Sequence, residues 1–279
     1  MYQVTKEKEK LVIKRYVLHR QSANEIAKLE CIDRKTVFRI LKRNNLKSRT
    51  LAEATLMYSC NDNYFEKIDT EEKAYWLGAL YADGNVSTNG RNSGLVFLSQ
   101  KDYDWINKFL RCIQSTNKPV REFHKKFKTE IWKARITSLK MFNDLVSLGC
   151  VPRKSLIIEF PKLHLALINH FIRGYFDGDG TVGVYRNLTT HSWKILKSGF
   201  CSGSECFLKE LVEYLPVKTK TIYKNHIYNI KFSLRDSILL YEYMYKDASV
   251  YLERKHNIFV DYISSYKPRK RFNDYNKLS

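Results

Sequence analysis

Two stretches of this chain, Trp76-Leu-Gly-Ala-Leu-Tyr-Ala-Asp-Gly84 and Ile172-Arg-Gly-Tyr-Phe-Asp-Gly-Asp-Gly180, repeat one pattern. Each is an apolar, aromatic-rich run that ends in Asp-Gly, and matching positions such as Asp83 and Asp179 lie 96 residues apart. In each run two small residues stand four positions apart, on one face of a helix, where another backbone can approach closely. These pairs are Gly78 with Ala82 and Gly174 with Gly178. The pattern predicts two equivalent helices that pack against each other.

Packed in parallel, such helices would bring Asp83 and Asp179 together at their C-terminal ends. Two carboxylates at the negative ends of two helix dipoles repel each other and resist ionising together unless a cation lies between them. Oxygen ligands favour Mg²⁺, which keeps several waters and binds substrate phosphates. Gly84 and Gly180 suit the left-handed conformation that ends many helices. One helix ending in Asp-Gly would most often be a capped core helix, but two copies in register favour a shared acidic site.

The two stretches resemble the motif of the LAGLIDADG homing endonucleases. The matching positions are Gly78, Asp83 and Gly84 in the first copy and Gly174, Asp179 and Gly180 in the second. The first copy departs from the motif at Tyr81, where the second has Asp177. The resemblance covers residues 69–265 and implies that Asp83 and Asp179 are catalytic and bind the metal. The implied cofactor is Mg²⁺, with Mn²⁺ as a substitute.

The segments after the two motif helices predict the same order of elements. In the first copy the signals are a strand near Val86, a turn at 89–94, a strand over 95–99, a helix over 102–113, strands over 120–127 and 130–137, and a helix over 139–148. In the second they are strands over 182–185 and 198–202, a helix over 205–215, strands over 220–223 and 227–233, and a helix over 235–245. The family's half-domain has this αββαββα order. The resemblance therefore implies an α+β fold with two pseudo-symmetric LAGLIDADG half-domains.

The N-terminal segment predicts a small all-α unit. Helical spacing over 5–18 is followed by the capping box Ser22-Ala-Asn-Glu25, and Asp33 can cap a third helix with one apolar and one basic face. This arrangement resembles a resolvase-type helix-turn-helix, whose last helix lies in the major groove. The residues expected to contact DNA there are Arg34, Lys35, Thr36 and Arg39. An ordinary three-helix packing module with a solvated basic face is the alternative.

We therefore expect five segments. They are a helix-turn-helix DNA-binding domain over 1–50, a linker over 51–68, the first LAGLIDADG half-domain over 69–163, the second over 164–265, and a basic C-terminal tail over 266–279.

The charge of the chain predicts a polyanionic partner. The formal net charge is +20, from 49 basic and 29 acidic residues, and the basic residues are interleaved with 19 Tyr and 15 Phe. An AT-rich genome would explain part of this excess. The predicted strands could present a basic face to a DNA groove, although a half-buried sheet shows the same alternation; the excess of one sign of charge favours DNA. The strand residues expected to contact DNA are Arg121, Lys126, Lys133, Arg135, Lys220, Lys224 and Lys231.

Each half also ends in a basic turn, Val151-Pro-Arg-Lys-Ser155 and Leu252-Glu-Arg-Lys-His256. The resemblance implies that Lys154 and Lys255 match a central basic residue beside the scissile phosphates, where they could stabilise developing negative charge or polarise the attacking water. A surface Arg-Lys pair in a loop is the ordinary alternative. Gln100, at the end of the first hairpin, is a further polar candidate for the catalytic site.

Several functional classes find no support in the sequence. The six cysteines form no Cys-x-x-Cys pair and no Cys/His ligand set, so neither a zinc site nor a disulfide framework is indicated. No apolar stretch approaches membrane-spanning length and no signal pattern opens the chain. We expect a soluble, intracellular protein without a membrane partner, in the cytoplasm of a bacterial or phage-infected cell or in an organelle. The initial Met and the lack of splice-junction residues suggest a free-standing protein.

These observations indicate a site-specific double-strand DNA homing endonuclease that uses Mg²⁺, held by two Asp residues at the ends of paired motif helices, to hydrolyse phosphodiester bonds. Its expected partner is double-stranded DNA with a long, partly asymmetric target site, bound by a monomer. An RNA maturase that assists intron splicing and a DNA-binding transcription regulator with a degenerate endonuclease fold are the alternatives. Retention of both Asp residues argues against the regulator and less strongly against the maturase.

Overall fold

The chain folds as two units, Met1–Tyr58 and Ser59–Ser279. A computed structural model describes residues 4–18, 21–49, 58–88, 90, 93–124, 128–186 and 194–266. The finer division into five segments stays a prediction. Part of the predicted turn at 89–94, residues 51–57 of the predicted linker, residues 267–279 of the predicted tail, and Lys126 lie outside the described residues. No helix in the described ranges is long and apolar enough to cross a membrane.

The described part of the N-terminal unit contains three helices, α1 (Lys6–Val17), α2 (Ala23–Leu29) and α3 (Arg34–Arg43). The predicted capping box is present, because the Ser22 hydroxyl accepts a hydrogen bond from the Glu25 amide and the Glu25 carboxylate accepts one from the Ser22 amide. Asp33 caps α3 by accepting from the Thr36 amide at 3.1 Å. The buried core of this unit consists of Val12, Tyr16, Ala23, Ile26, Val37, Ile40 and Leu41. Its role as a helix-turn-helix stays a prediction.

The second unit contains the αββαββα order twice, which confirms the predicted α+β fold class. The first half has α4 (Glu71–Asp83), β1 (Gly84–Thr88), β2 (Gly94–Gln100), α5 (Tyr103–Cys112), β3 (Val120–His124), β4 (Thr129–Thr137) and α6 (Leu139–Ser147). The second has α7 (Leu165–Asp179), β5 (Thr181–Arg186), β6 (Lys194–Ser202), α8 (Glu205–Glu213), β7 (Tyr223–Asn225), β8 (Ile227–Phe232) and α9 (Leu234–Tyr245), followed by α10 (Glu253–Ser265). Both sheets are antiparallel, with strand orders β1-β2-β4-β3 and β5-β6-β8-β7.

The two motif helices, α4 and α7, pack directly against each other in parallel. A Cβ atom on Gly78 would overlap the Phe171 carbonyl oxygen, and one on Gly174 would overlap the Tyr75 carbonyl oxygen. These two contacts are related by the same offset of 96 residues that relates the motifs. The predicted packing of the two motif helices is confirmed, because the small residues let the two backbones contact each other along a pseudo-twofold axis.

The predicted left-handed helix ends are wrong. Gly84 has φ −83° and Gly180 has φ −73°, so both are extended and lead straight into β1 and β5. Glycine is needed there for space: a Cβ atom on Gly84 would overlap the Leu80 carbonyl oxygen, and one on Gly180 would lie 2.5 Å from the Phe176 carbonyl oxygen. Each chain turns back across its own helix too tightly for any side chain.

Three other segments differ from the sequence prediction. Lys255 lies in the first turn of helix α10 and not in a basic turn; Phe259, with Tyr262 and Ile263 at helical spacing, was the signal for that helix. The strand predicted over 220–223 starts only at Tyr223, and before it the Asp236 carboxylate accepts hydrogen bonds from the amides of Lys218 and Thr219.

The third difference lies within the predicted linker. Tyr64 and Phe65 are buried in the core of the second unit. The polar residues around them, at 59–63, concealed this anchor in the sequence. The second unit therefore begins before the motif half-domain that the sequence predicted.

Candidate active site

Asp83 and Asp179 end α4 and α7, and the parallel packing of these helices brings the two carboxylates together. Both residues are partly buried. Gly178 faces the first carboxylate closely, since a Cβ atom on it would lie 3.2 Å from Asp83 Oδ2. The structure thus places side by side the two acidic residues that the repeat singled out.

The environment opposes ionisation of both carboxylates. Burial, and next to it the charge of Asp179, raise the pKa of Asp83 to about 7; the ammonium groups of Lys255 and Lys154 act in the opposite direction. Burial also raises the pKa of Asp179, again against the pull of the two lysines. Partial burial and repulsion between like charges are the two conditions under which a bound cation is favoured.

Gln100, the last residue of β2, belongs to this site. Its Nε2 donates a hydrogen bond to Asp83 Oδ2 at 2.8 Å, and its Oε1 accepts one from the Lys101 amide at 2.8 Å. The amide side chain is therefore held at both ends. It orients the Asp83 carboxylate toward the end of α7.

Lys154 and Lys255 also reach the site, at the helix ends that carry the carboxylates. The Lys154 ammonium donates to the Gly84 carbonyl, and the Lys255 ammonium donates to the carbonyls of Phe176, Gly178 and Gly180 at 2.7, 2.9 and 2.6 Å. Both side chains are buried, and burial lowers the pKa of Lys255 to about 8. The lysines thus neutralise the negative ends of the helices that carry the aspartates.

The two halves of the site are not identical. Gln100 pairs with Trp132 across β2 and β4, and the residue in the same register of the second sheet, opposite Tyr228, is Ser202. The Ser202 hydroxyl is buried and accepts a hydrogen bond from the Ser204 amide at 3.1 Å. Next to Asp179 lies Cys201, whose Sγ is 3.2 Å from the Asp179 carbonyl oxygen. This asymmetry was not predicted from the sequence and becomes visible once the strands are aligned by register.

The donor set fits a divalent cation that is only partly held by protein. Within the described residues, no group of three or more His, Cys, Asp or Glu side chains could surround a metal ion. Two carboxylates would fill only some of the ligand positions of a metal ion and leave the others to water and phosphate oxygens. Mg²⁺ is commonly bound in this way. The residues that would hold it are Asp83 and Asp179.

The first sheet separates its basic residues between two faces. The register places Lys133 and Arg135 on the face opposite the buried Ala134, with the Lys133 ammonium and the Arg135 guanidinium 5.6 and 5.9 Å from the centre of the Phe97 ring. Arg121 pairs with Trp132 and so points to the helix side of the sheet, where it forms an ion pair with Glu130. Lys133 forms an ion pair with Glu122 at 2.6 Å.

The second sheet shows the same division. Lys231 lies on the face opposite the buried Ile230 and Phe232, 5.6 Å from the centre of the Tyr223 ring. Lys224 pairs with Tyr228 and points to the helix side. Lys220 precedes the strand and forms an ion pair with Glu213 at 2.6 Å. The register also places Lys197 of β6 on the same face as Lys231, a position that the sequence analysis did not single out.

In the N-terminal unit, Arg34, Lys35 and Arg39 are exposed on α3. Thr36 is half-buried, and its hydroxyl donates to Asp33 Oδ2 at 2.7 Å. Thr36 is therefore engaged in the cap of the helix, while the three basic side chains face solvent.

The raised pKa of Asp83 predicts a pH-dependent stability of the metal-free protein. Between the unfolded pKa near 3.8 and the folded pKa of about 7, the folded state binds the extra proton, so stability falls as pH rises through this window. We expect thermal unfolding in a chelator to show this fall, and Asp83→Asn to flatten it. The same slope in both proteins would contradict the electrostatic description of the site.

No protein-family model and no curated protein matches the chain. Among solved structures it is similar to the homing endonuclease I-WcaI bound to its DNA recognition sequence, at 16% identity and a TM-score of 0.49, over 77% of this chain and 97% of that one. It is also similar to the LAGLIDADG meganuclease I-AabMI bound to uncleaved DNA, at 13% identity and a TM-score of 0.46, over 75% and 92%. A third is the LAGLIDADG homing endonuclease I-GzeII in complex with its DNA target, at 11% identity and a TM-score of 0.44, over 74% and 92%. All three are homing endonucleases or meganucleases in complex with DNA, and two of them are described as LAGLIDADG proteins.

Proposed function

We propose that this protein is a site-specific double-strand DNA endonuclease that hydrolyses phosphodiester bonds with a divalent cation, Mg²⁺ or Mn²⁺ in its place, held by Asp83 and Asp179. The proposal rests on the proximity of these two carboxylates at the ends of α4 and α7. Two carboxylates that repel each other destabilise the folded protein. Their placement side by side is explained if together they bind a cation.

The side chains around the carboxylates have separate tasks in this proposal. Bound between the carboxylates, a divalent cation would supply the acidity that activates water and stabilises the leaving oxygen. Gln100 fixes the orientation of Asp83 through its 2.8 Å hydrogen bond. Lys154 and Lys255 hold the backbone at the two helix ends and place positive charge near both carboxylates. That charge favours the ionised carboxylates and an approaching phosphate.

Double-stranded DNA is the proposed partner. Lys133 and Arg135 on one sheet and Lys197 and Lys231 on the other lie on the faces turned away from the helices. The two sheets carry different side chains in equivalent registers, so a monomer would read a long and partly asymmetric site. A transcription regulator would have no use for the paired carboxylates, which favours the nuclease over that alternative.

A selection experiment tests the proposed activity. The purified protein is incubated with Mg²⁺ and a library of randomised duplexes, and the ends of the broken strands are sequenced. We expect breaks in both strands at a fixed position within one related set of sequences, and none in the presence of a chelator. A library that stays intact with Mg²⁺ and with Mn²⁺, or is cut at random positions, would overturn the proposal.

Arg135 and Arg121 lie on opposite faces of the first sheet, so their alanine variants form a matched pair. Arg135→Ala should weaken binding of the selected site about 10- to 100-fold and relax its sequence preference, since an arginine that reaches a base edge contributes roughly 1–3 kcal/mol. Arg121→Ala removes the same charge from the helix side of the same sheet and should change affinity much less. The measurement is a binding titration on the selected duplex and on single-base variants. Equal losses for both variants would contradict the assignment of the DNA-facing surface.

A further inference from the structure

The sixth position of the motif differs between the two copies, with Tyr81 in the first and Asp177 in the second. Neither side chain lines the paired carboxylates. Both are buried, and both bond to the backbone of a distant segment. In each half that segment leads to the lysine that donates to the end of the motif helix.

In the second half the acceptor is a carboxylate. Asp177 Oδ2 accepts hydrogen bonds from the Leu252 amide and the Tyr75 hydroxyl, both at 2.7 Å, and Oδ1 accepts one from the Tyr245 hydroxyl at 2.6 Å. Leu252 is the N-cap of α10, and its apolar side chain cannot accept a hydrogen bond from that helix. The Asp177 carboxylate therefore fixes the start of α10, three residues before Lys255.

In the first half the partner is a hydroxyl. The Tyr81 hydroxyl donates to the carbonyl of Leu148, the C-cap of α6. Gly149 follows with φ +91°, and a Cβ atom on it would overlap that hydroxyl. Cys150 is buried and its Sγ lies 3.7 Å from the Leu80 carbonyl oxygen. Tyr81 thus fixes the exit of α6, from which the chain runs to Lys154.

We propose that the sixth motif position is a positioning residue in both halves, Tyr81 for Lys154 and Asp177 for Lys255. This inference rests on the proposed function and explains why one motif position holds two dissimilar residues. Tyr81 donates to a backbone carbonyl after α6, and Asp177 accepts from a backbone amide before the first residue of α10. The shared task is to hold the lysine-bearing segment against the end of a motif helix.

A misplaced lysine would leave the carbonyls at one helix end without a donor, whereas its positive charge acts on both carboxylates. Each lysine donates within its own half, Lys154 to Gly84 and Lys255 to Phe176, Gly178 and Gly180. Loss of an anchor should therefore slow hydrolysis of one DNA strand more than the other. Small misplacements of a catalytic group cost up to about 100-fold in rate.

Strand-resolved cleavage tests this inference. Each strand of the selected duplex carries its own label, and nicking rates are measured with saturating protein and Mg²⁺. Lys154→Met and Lys255→Met define the strand that each lysine serves. We expect Tyr81→Phe to reproduce the pattern of Lys154→Met and Asp177→Asn that of Lys255→Met, each with about a tenfold or larger slowing of one strand and unchanged affinity.

Tyr64→Phe is the matched control, because Tyr64 is also a buried tyrosine, with its hydroxyl 2.7 Å from Glu72 and no link to either lysine. Equal slowing of both strands by Tyr81→Phe, or rates like those of the control, would overturn the inference. If Asp177→Asn does not fold, the comparison of Tyr81→Phe with Lys154→Met decides. Full cutting by both Asp83→Asn and Asp179→Asn would instead overturn the proposed function.

Discussion

Replacing either Asp83 or Asp179 by Asn is expected to abolish double-strand cleavage while leaving specific DNA binding largely intact. In the proposed site each carboxylate is a ligand of the cation, and an amide supplies no compensating negative charge. Loss of a group that stabilises developing charge costs up to about a thousandfold in rate, and loss of a metal ligand should cost at least as much. Affinity should survive because it comes mainly from the sheet faces and phosphate contacts.

The stability of the variants separates a chemical defect from a folding defect. Asp83 is held next to Asp179 with a raised pKa, so Asp83→Asn removes a repulsion and should not lower the melting temperature of the metal-free protein at pH 7. Asp144→Asn, at an ion pair with the exposed Lys140, is a control for the same chemical change elsewhere. Cleavage would be followed on the selected duplex with Mg²⁺. Full cutting by both single variants would sink the active-site assignment.

The sequence predicted the central part of this fold because two constraints coincided in it. A small residue every four positions decides which face of a helix another backbone can touch, and the same offset recurs in both copies. That was sufficient to pair α4 with α7 and to bring Asp83 and Asp179 together. The alternation of apolar and polar residues predicted most strands for a similar reason, since one face of each sheet is buried.

Features that depend on tertiary contacts were not predictable in this way. The extended φ of Gly84 follows from the crowding of its backbone against Leu80, which composition does not reveal. The direction of Lys255 depends on α10, and the sequence prediction had put a basic turn there. Arg121 and Arg135 look equivalent along the chain, and only the strand register shows that they lie on opposite faces.

Asymmetry between the halves was also hidden from the sequence. Gln100 is visible as a polar residue at a strand end, but its counterpart Ser202 is identified only by cross-strand pairing. The difference between Tyr81 and Asp177 was visible, yet its meaning required the backbone groups of Leu148 and Leu252. Equivalent positions in a pseudo-symmetric protein are thus better assigned by register and contact than by motif alignment.

Removal of residues 1–50 is expected to weaken DNA binding and shorten the footprint, yet to leave Mg²⁺-dependent cleavage at the same bonds. Each proposed catalytic residue lies after Ser59, in a unit with its own core. The exposed basic residues of α3, Arg34, Lys35 and Arg39, are expected to add contacts to the same DNA and to take no part in the chemistry. For each phosphate that the protein no longer neutralises, the slope of log affinity against log salt should fall by about 0.9.

The triple variant Arg34→Ala, Lys35→Ala, Arg39→Ala tests the same surface in the intact chain, without deleting the helices. Footprinting and salt-dependent binding titrations on the selected duplex provide the measurements. We expect the triple variant to show most of the decrease in affinity that the truncation shows, about 100-fold at low salt if three phosphates are no longer neutralised. A folded truncated protein with an unchanged footprint and salt slope would show that the N-terminal unit does not touch this DNA. A truncated protein that folds but no longer cuts at saturating concentration would show that the N-terminal unit takes part in catalysis. A high protein concentration compensates for weaker affinity, but it does not replace a missing catalytic contribution.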